Sequence, residues 1–100
     1  MNAYEVTIEG RGILVAIDGQ DAVGFFRLVR VVAPDVVTAK NRAAALVQAE
    51  WDASPNRRLN RGNYPQLRAV SVAALQWWRR FLPARGGYIF FPEDSQSNAV

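Results

Sequence analysis

Along Tyr4-Glu5-Val6-Thr7-Ile8-Glu9 apolar and polar residues alternate with period two, so Tyr4, Val6 and Ile8 point to one side while Glu5, Thr7 and Glu9 point to the other. This is the pattern of a strand with one wet side, and it places both glutamates in water. Gly10-Arg11-Gly12 breaks or bends the strand, Ile13-Leu14-Val15-Ala16-Ile17 resumes it, and Asp18-Gly19 is a hairpin-turn dipeptide. Residues 20–24 complete the connection, and the apolar stretch 25–32 forms the next strand. Pro34 then stops the strand, and the Asp35 carboxylate is placed to accept from the free amides of a first helical turn. Beyond it Ala39, Ala43, Leu46, Val47 and Trp51 recur at helical spacing, with Lys40, Asn41, Gln48 and Asp52 opposite. The spacing predicts a helix over about 36–52, capped by Asp35 and packed through Ala39, Ala43, Leu46 and Val47.

The pattern lapses after Asp52. Ala53-Ser54-Pro55-Asn56 ends the helix, and the polar stretch to Pro65 reads as an exposed loop, long enough to suggest a functional or mobile role. Residues 67–81 satisfy two periods at once. Leu67, Val70, Ala74, Trp77, Trp78 and Phe81 fit a helical face, whereas Val70-Ser71-Val72 and the tryptophan pair suit a strand. Residues 83–87 make a turn, Tyr88-Ile89-Phe90-Phe91 is a strand that Pro92 ends, and residues 95–100 form a polar tail expected to fray. Residues 1–100 thus form one α+β domain: an antiparallel sheet of about four strands with one main helix on one face, in the order β-β-α-β-β.

Length agrees with this, because 100 residues is a common single-domain size and suffices for a core without metal or disulfides. The chain has no cysteine and no histidine, and its first residues show no basic-then-apolar leader, so a cytoplasmic location is expected. The apolar stretch 23–34 is interrupted by Arg27 and Arg30 and is shorter than the roughly 20 residues of a membrane span, so no membrane role is expected.

Charge is unevenly placed. Residues 1–52 hold five basic and seven acidic groups, residues 53–92 hold seven arginines and no acid, and the chain as a whole carries +3. Arg57, Arg58 and Arg61 beside Tyr64, and Arg79 and Arg80 beside Trp77 and Trp78, combine phosphate-neutralising charge with stacking faces, as a single-stranded nucleic-acid surface requires. No recognised nucleic-acid motif accompanies them, and arginine stems commonly cover apolar surface instead.

Catalytic chemistry has little to work with. A nucleophile needs a base within reach, and without histidine or cysteine only Ser/Lys or Asp-driven schemes remain; Lys40, the one lysine, lies on the polar helix face. Glu93 and Asp94 are neighbours that an extended chain points to opposite sides, and Glu5 and Glu9 stand about 13 Å apart on a strand, too far to share a proton. Neither an enzyme nor a cofactor or metal is expected. The function class that fits is a non-catalytic interaction or self-association module, homodimeric, with nucleic-acid binding through 57–80 as the alternative. Trp77 and Trp78 lead the self-association residues, because consecutive strand side chains face opposite sides and both rings cannot enter one core; Tyr88 and Phe90 would extend the patch if they share its side.

Gly24-Phe25-Phe26 through Ala33, and Gly87-Tyr88-Ile89-Phe90-Phe91-Pro92-Glu93-Asp94, give the chain a resemblance to a group of small bacterial proteins of unknown function. In that group a Gly-Phe-Tyr-initiated strand ends in an alanine entering a helix, and the chain closes on a Gly-Phe-Thr-Phe-Tyr-Pro-Glu-Glu type sequence. Val29 stands where the group carries an arginine, and Val32 where it carries an acid. The resemblance implies a strand rather than a helix near Val70 and brings over no active-site residue.

Overall fold

Ile17 pairs with Gln20 across a two-residue turn in which Asp18 and Gly19 both take positive φ, 49° and 82°. That primed turn matches the right-handed twist of the strands it joins, and it needs residues such as Asp and Gly that tolerate left-handed backbone. From this turn a long hairpin unwinds. The computed structural model describes residues 2–75 and 87–92, with β1 at Asn2–Ile17, β2 at Gln20–Ala33, α1 at Val36–Ala53, the single-turn α2 at Asn56–Leu59, β3 at Gln66–Ala74 and β4 at Tyr88–Pro92. The four strands form one antiparallel sheet in the order β3-β1-β2-β4.

β1 bends at its glycines instead of ending there. A register irregularity between Arg11 and Val15 absorbs the bend, so Ile13 and Val15 rejoin Tyr4, Val6 and Ile8 in the core. β2 likewise begins directly at Gln20, because the tight turn leaves no separate connection through residues 20–24. Opposite residues of paired strands share a face, and Tyr4 with Val31, Val6 with Val29 and Gly10 with Phe25 line the side that α1 covers. β3 adds Leu67, Ala69 and Val72 to that side as half-buried neighbours of the core. Residues 66–74 are therefore strand, which decides the first part of the stretch 67–81 that satisfied two periods; from residue 76 on that stretch lies outside the described residues.

Asp35 caps α1, accepting from the Thr38 amide at 2.7 Å. That bond holds its carboxyl below the usual range, helped by the charge of Arg42. Ala39, Ala43, Val47 and Trp51 are the buried residues of the helix, and small side chains at the first two let it lie close to the sheet. Leu46, expected in this set, is 46% exposed. At about 100° per residue a row spaced by four drifts across the helix, so the buried face sweeps from Ala39 toward Trp51, and Leu46 falls about 20° outside its starting edge. Because Ala43 is fully buried, Ala43→Leu is expected to overpack the helix–sheet contact and cost about 1–3 kcal/mol, read as a lowered thermal melt.

The segment 53–65 is no free loop. Asn60 accepts the Leu14 amide on its side chain at 2.8 Å, the Arg61 amide donates to the Leu14 carbonyl at 2.8 Å, and the Asn63 amide donates to the Gly12 carbonyl at 2.8 Å. The bend in β1 frees these backbone groups, and the segment answers them.

Candidate interaction surfaces

Phe25 lies fully buried at the centre of an aromatic cluster. Its ring stacks on Trp51 at 5.3 Å between centroids and meets the edge of Tyr88 at 4.9 Å, with Phe90 at 6.2 Å. β4 brings Tyr88 opposite Arg27 and Phe90 opposite Phe25, which sets both rings on the helix side of the sheet. Tyr88 and Phe90, expected as candidates for a self-association patch, are thus spent largely on internal packing. Arg27 and Glu50 close the cluster's outer end with a two-pronged ion pair at 3.0 and 3.1 Å.

The Tyr88 hydroxyl is buried without a hydrogen-bond partner among the described residues. Its burial, and then the nearby Glu50 charge, push the phenol above its ordinary pKa, against the opposing influence of Arg27. Tyr88→Phe removes a desolvated group that makes no bond, so the variant is expected to match or exceed the wild type by about 1 kcal/mol in a denaturant melt. A raised phenol favours the folded state below its ordinary pKa, and that contribution is lost as pH rises through the raised value. Wild type is therefore expected to lose stability relative to the variant under strongly alkaline conditions.

The opposite face of the sheet carries no helix among the described residues. Val32 with Ala3, Arg30 with Glu5, Leu28 with Thr7, and Phe26 with Glu9 and Ile89 share it. Ile89 is 69% exposed, Val32 48% and Leu28 39%, and Phe26 leans on Phe91 at 5.0 Å. These residues form an apolar strip across β4 and β2, interrupted by the Arg30–Glu5 pair at 3.3 Å. Glu9, expected in water, is only 5% exposed. Arg11 at 2.9 Å and Arg68 at 3.2 Å hold its carboxylate, which is what makes its burial tolerable.

The basic segment divides. Arg57 and Arg58 line a concavity of about 630 Å³ with Asp52, Ser54 and Pro55, at the junction of α1 and α2. Arg57 also reaches the Asp52 carbonyl, and Tyr64 donates its hydroxyl to the Asp52 carboxylate at 2.7 Å, a bond that raises the phenol's pKa. Arg61 is engaged elsewhere, with Asp21 at 2.6 Å. So the structure joins Arg57 to Arg58 and ties Arg61 to the hairpin. Trp77, Trp78, Arg79, Arg80, Glu93, Asp94 and the tail 95–100 lie outside the described residues.

The exposed strip on β2 and β4 was not singled out from the sequence. Its signal was there: Phe26, Leu28 and Val32 alternate with Phe25, Val29 and Val31, and a strand apolar on both sides must be covered twice or leave one side bare. Among the described residues no helix is long and apolar enough to cross a membrane. Compared with family models, with curated proteins and with solved structures, the chain matches none.

Proposed function

We propose that this chain is a non-catalytic, cytoplasmic interaction module that pairs with a second copy through the open face of its sheet. The observation that carries this is the apolar strip of Ile89, Phe26, Leu28 and Val32 on a face with no helix among the described residues. Exposed apolar side chains gathered on one face in this way are uncommon on a monomer unless the face is used. A second copy suits the face because it bears both signs of charge, Glu5 among Arg11, Arg30 and Arg68, so a two-fold arrangement can set acid against arginine without a partner of opposite net charge. The cysteine-free sequence is consistent with a reducing compartment.

Light scattering decides this. Wild type is expected to run as a dimer at micromolar concentration, and Leu28→Lys with Ile89→Lys to weaken the dimer at least a hundredfold while leaving the melt cooperative. A wild-type monomer at high micromolar concentration, or a dimer indifferent to the pair, overturns the proposal. Trp77→Ser and Trp78→Ser, made in parallel, test whether the tryptophan pair contributes to self-association.

Nucleic-acid binding is the second reading, and the concavity shared by Arg57 and Arg58 is what favours it. Under it a single-stranded oligonucleotide binds at low salt, affinity falls steeply with added salt, and the triple alanine variant at Arg57, Arg58 and Arg61 flattens that slope. No binding at low salt removes it.

A further inference from the structure

β4 begins at Tyr88, opposite Arg27, and Gly87 already lies outside the strand. Beyond that point no described strand lies beside residues 28–33 of β2 on the outer side. The backbone there faces outward, as two side chains show: Arg27 donates to the Leu28 carbonyl at 2.5 Å, and Arg42 of α1 donates to the Val32 carbonyl at 2.5 Å. Outward carbonyls and amides alternate along an antiparallel strand, so Leu28 and Val32 present both groups to this edge.

Beside the edge runs a groove of about 520 Å³. Arg30, Val31 and Val32 form its strand wall, and Arg42, Ala45, Leu46 and Ala49 form its helix wall. Those four helix residues follow i, i+3, i+4, i+7 spacing, a second stripe flanking the buried one. Leu46 and Val32, both close to half exposed, leave it open to solvent. No acid lines it among the described residues, and Arg42 has no carboxylate within ion-pair distance among them.

We propose that this groove takes an extended acidic peptide, which adds as a strand to the 28–33 edge of β2 and sets its carboxylate against Arg42. Every second side chain of an added strand points to the helix side, where Ala45, Leu46 and Ala49 give it an apolar wall; backbone bonds to Leu28 and Val32 supply the rest. The guanidinium of Arg42 exchanges a neutral carbonyl for a carboxylate, the stronger acceptor. Charge also guards sheet edges against pairing, and Arg42 covers one carbonyl here. Guarding does not explain the apolar stripe beside it. The far edge of the sheet contrasts with this one: a register shift next to Val70 interrupts β3, so that edge lacks the even spacing an added strand needs.

The groove shares Val32 and Arg30 with the rim of the open face, so its two test residues, Arg42 and Leu46, are taken from α1, outside the strip that the dimer proposal uses. Random decapeptides displayed on phage are panned against the full chain, and recovered peptides are synthesised with a fluorescein label for anisotropy. The expected peptides carry an acid and alternate β-branched or other apolar residues. Leu46→Glu is expected to weaken them at least tenfold, Arg42→Glu to abolish the preference for the acid with Arg42→Lys keeping part of it, and N-methylation of alternate peptide amides to abolish binding. Hydrogen exchange at the Leu28 and Val32 amides is expected to slow on binding. Recovery of no peptide, or of peptides indifferent to Leu46→Glu and to N-methylation, overturns the proposal. So does slow exchange of those two amides in the peptide-free monomer, which would mean the chain fills its own groove, or slowing that tracks protein concentration, which would mean a second copy does.

Discussion

Replacing Trp51 with alanine is expected to cost about 3–5 kcal/mol, the range for deleting a large buried aromatic, which is a large share of the roughly 5–15 kcal/mol that stabilises a domain this size. Trp51 is 1% exposed and lies where three elements converge: it ends the buried row of α1, stacks on Phe25 of β2 at 11° between ring planes, and meets Tyr88 of β4 at 6.0 Å. A void there cannot be refilled by neighbours that are themselves rigid rings. Chemical denaturation with a cooperative baseline measures the loss, and Trp51→Phe separates ring stacking from volume by recovering part of it. A cost under about 1 kcal/mol would show that the cluster contributes little.

Gly62→Ala is the second large effect, about 2–4 kcal/mol, and its cause is backbone rather than side chain. A methyl on Gly62 would stand 2.7 Å from the Gly12 carbonyl oxygen, 2.7 Å from the Leu14 nitrogen and 2.8 Å from the Ile13 carbonyl carbon. None of these can rotate aside. The 53–65 segment must lift off β1, and the bonds of Asn60, Arg61 and Asn63 to that strand go with it. A lowered melt together with faster exchange of the Leu14, Arg61 and Asn63 amides is the expected result; an unchanged exchange pattern would show that the seam absorbs the methyl.

Local signals carried the class of fold. The alternation at Tyr4 to Ile8 identified the side that meets the helix, Asp18-Gly19 marked the hairpin, and Asp35 marked the start of α1. What escaped depends on contacts between segments far apart in sequence. Leu46 shares the period of Ala43 and Val47, and only the position of the sheet edge tells which flank of the stripe is covered. Glu9 obeys the alternation and is buried nonetheless, because Arg68 arrives from a strand 59 residues away. The 53–65 segment has the composition of a loop, and its anchoring uses backbone groups that composition does not encode. The candidate surfaces were least legible for the same reason: arginines 57, 58 and 61 sit close in sequence, yet Asp21 draws off one of them.

The strand order has a consequence for how the molecule comes into being. Both central strands and the covering helix lie within residues 2–53, whereas both outer strands come later, at 66–74 and 88–92. A growing chain therefore has a long hairpin with two bare edges before it owns anything to close them. Each edge must wait for more of the protein to emerge from the ribosome, and during that interval neighbouring nascent chains offer one another the same unfinished ladder. Arg27 and Arg42, whose side chains reach carbonyls on the β2 margin, are in position to guard it during that wait.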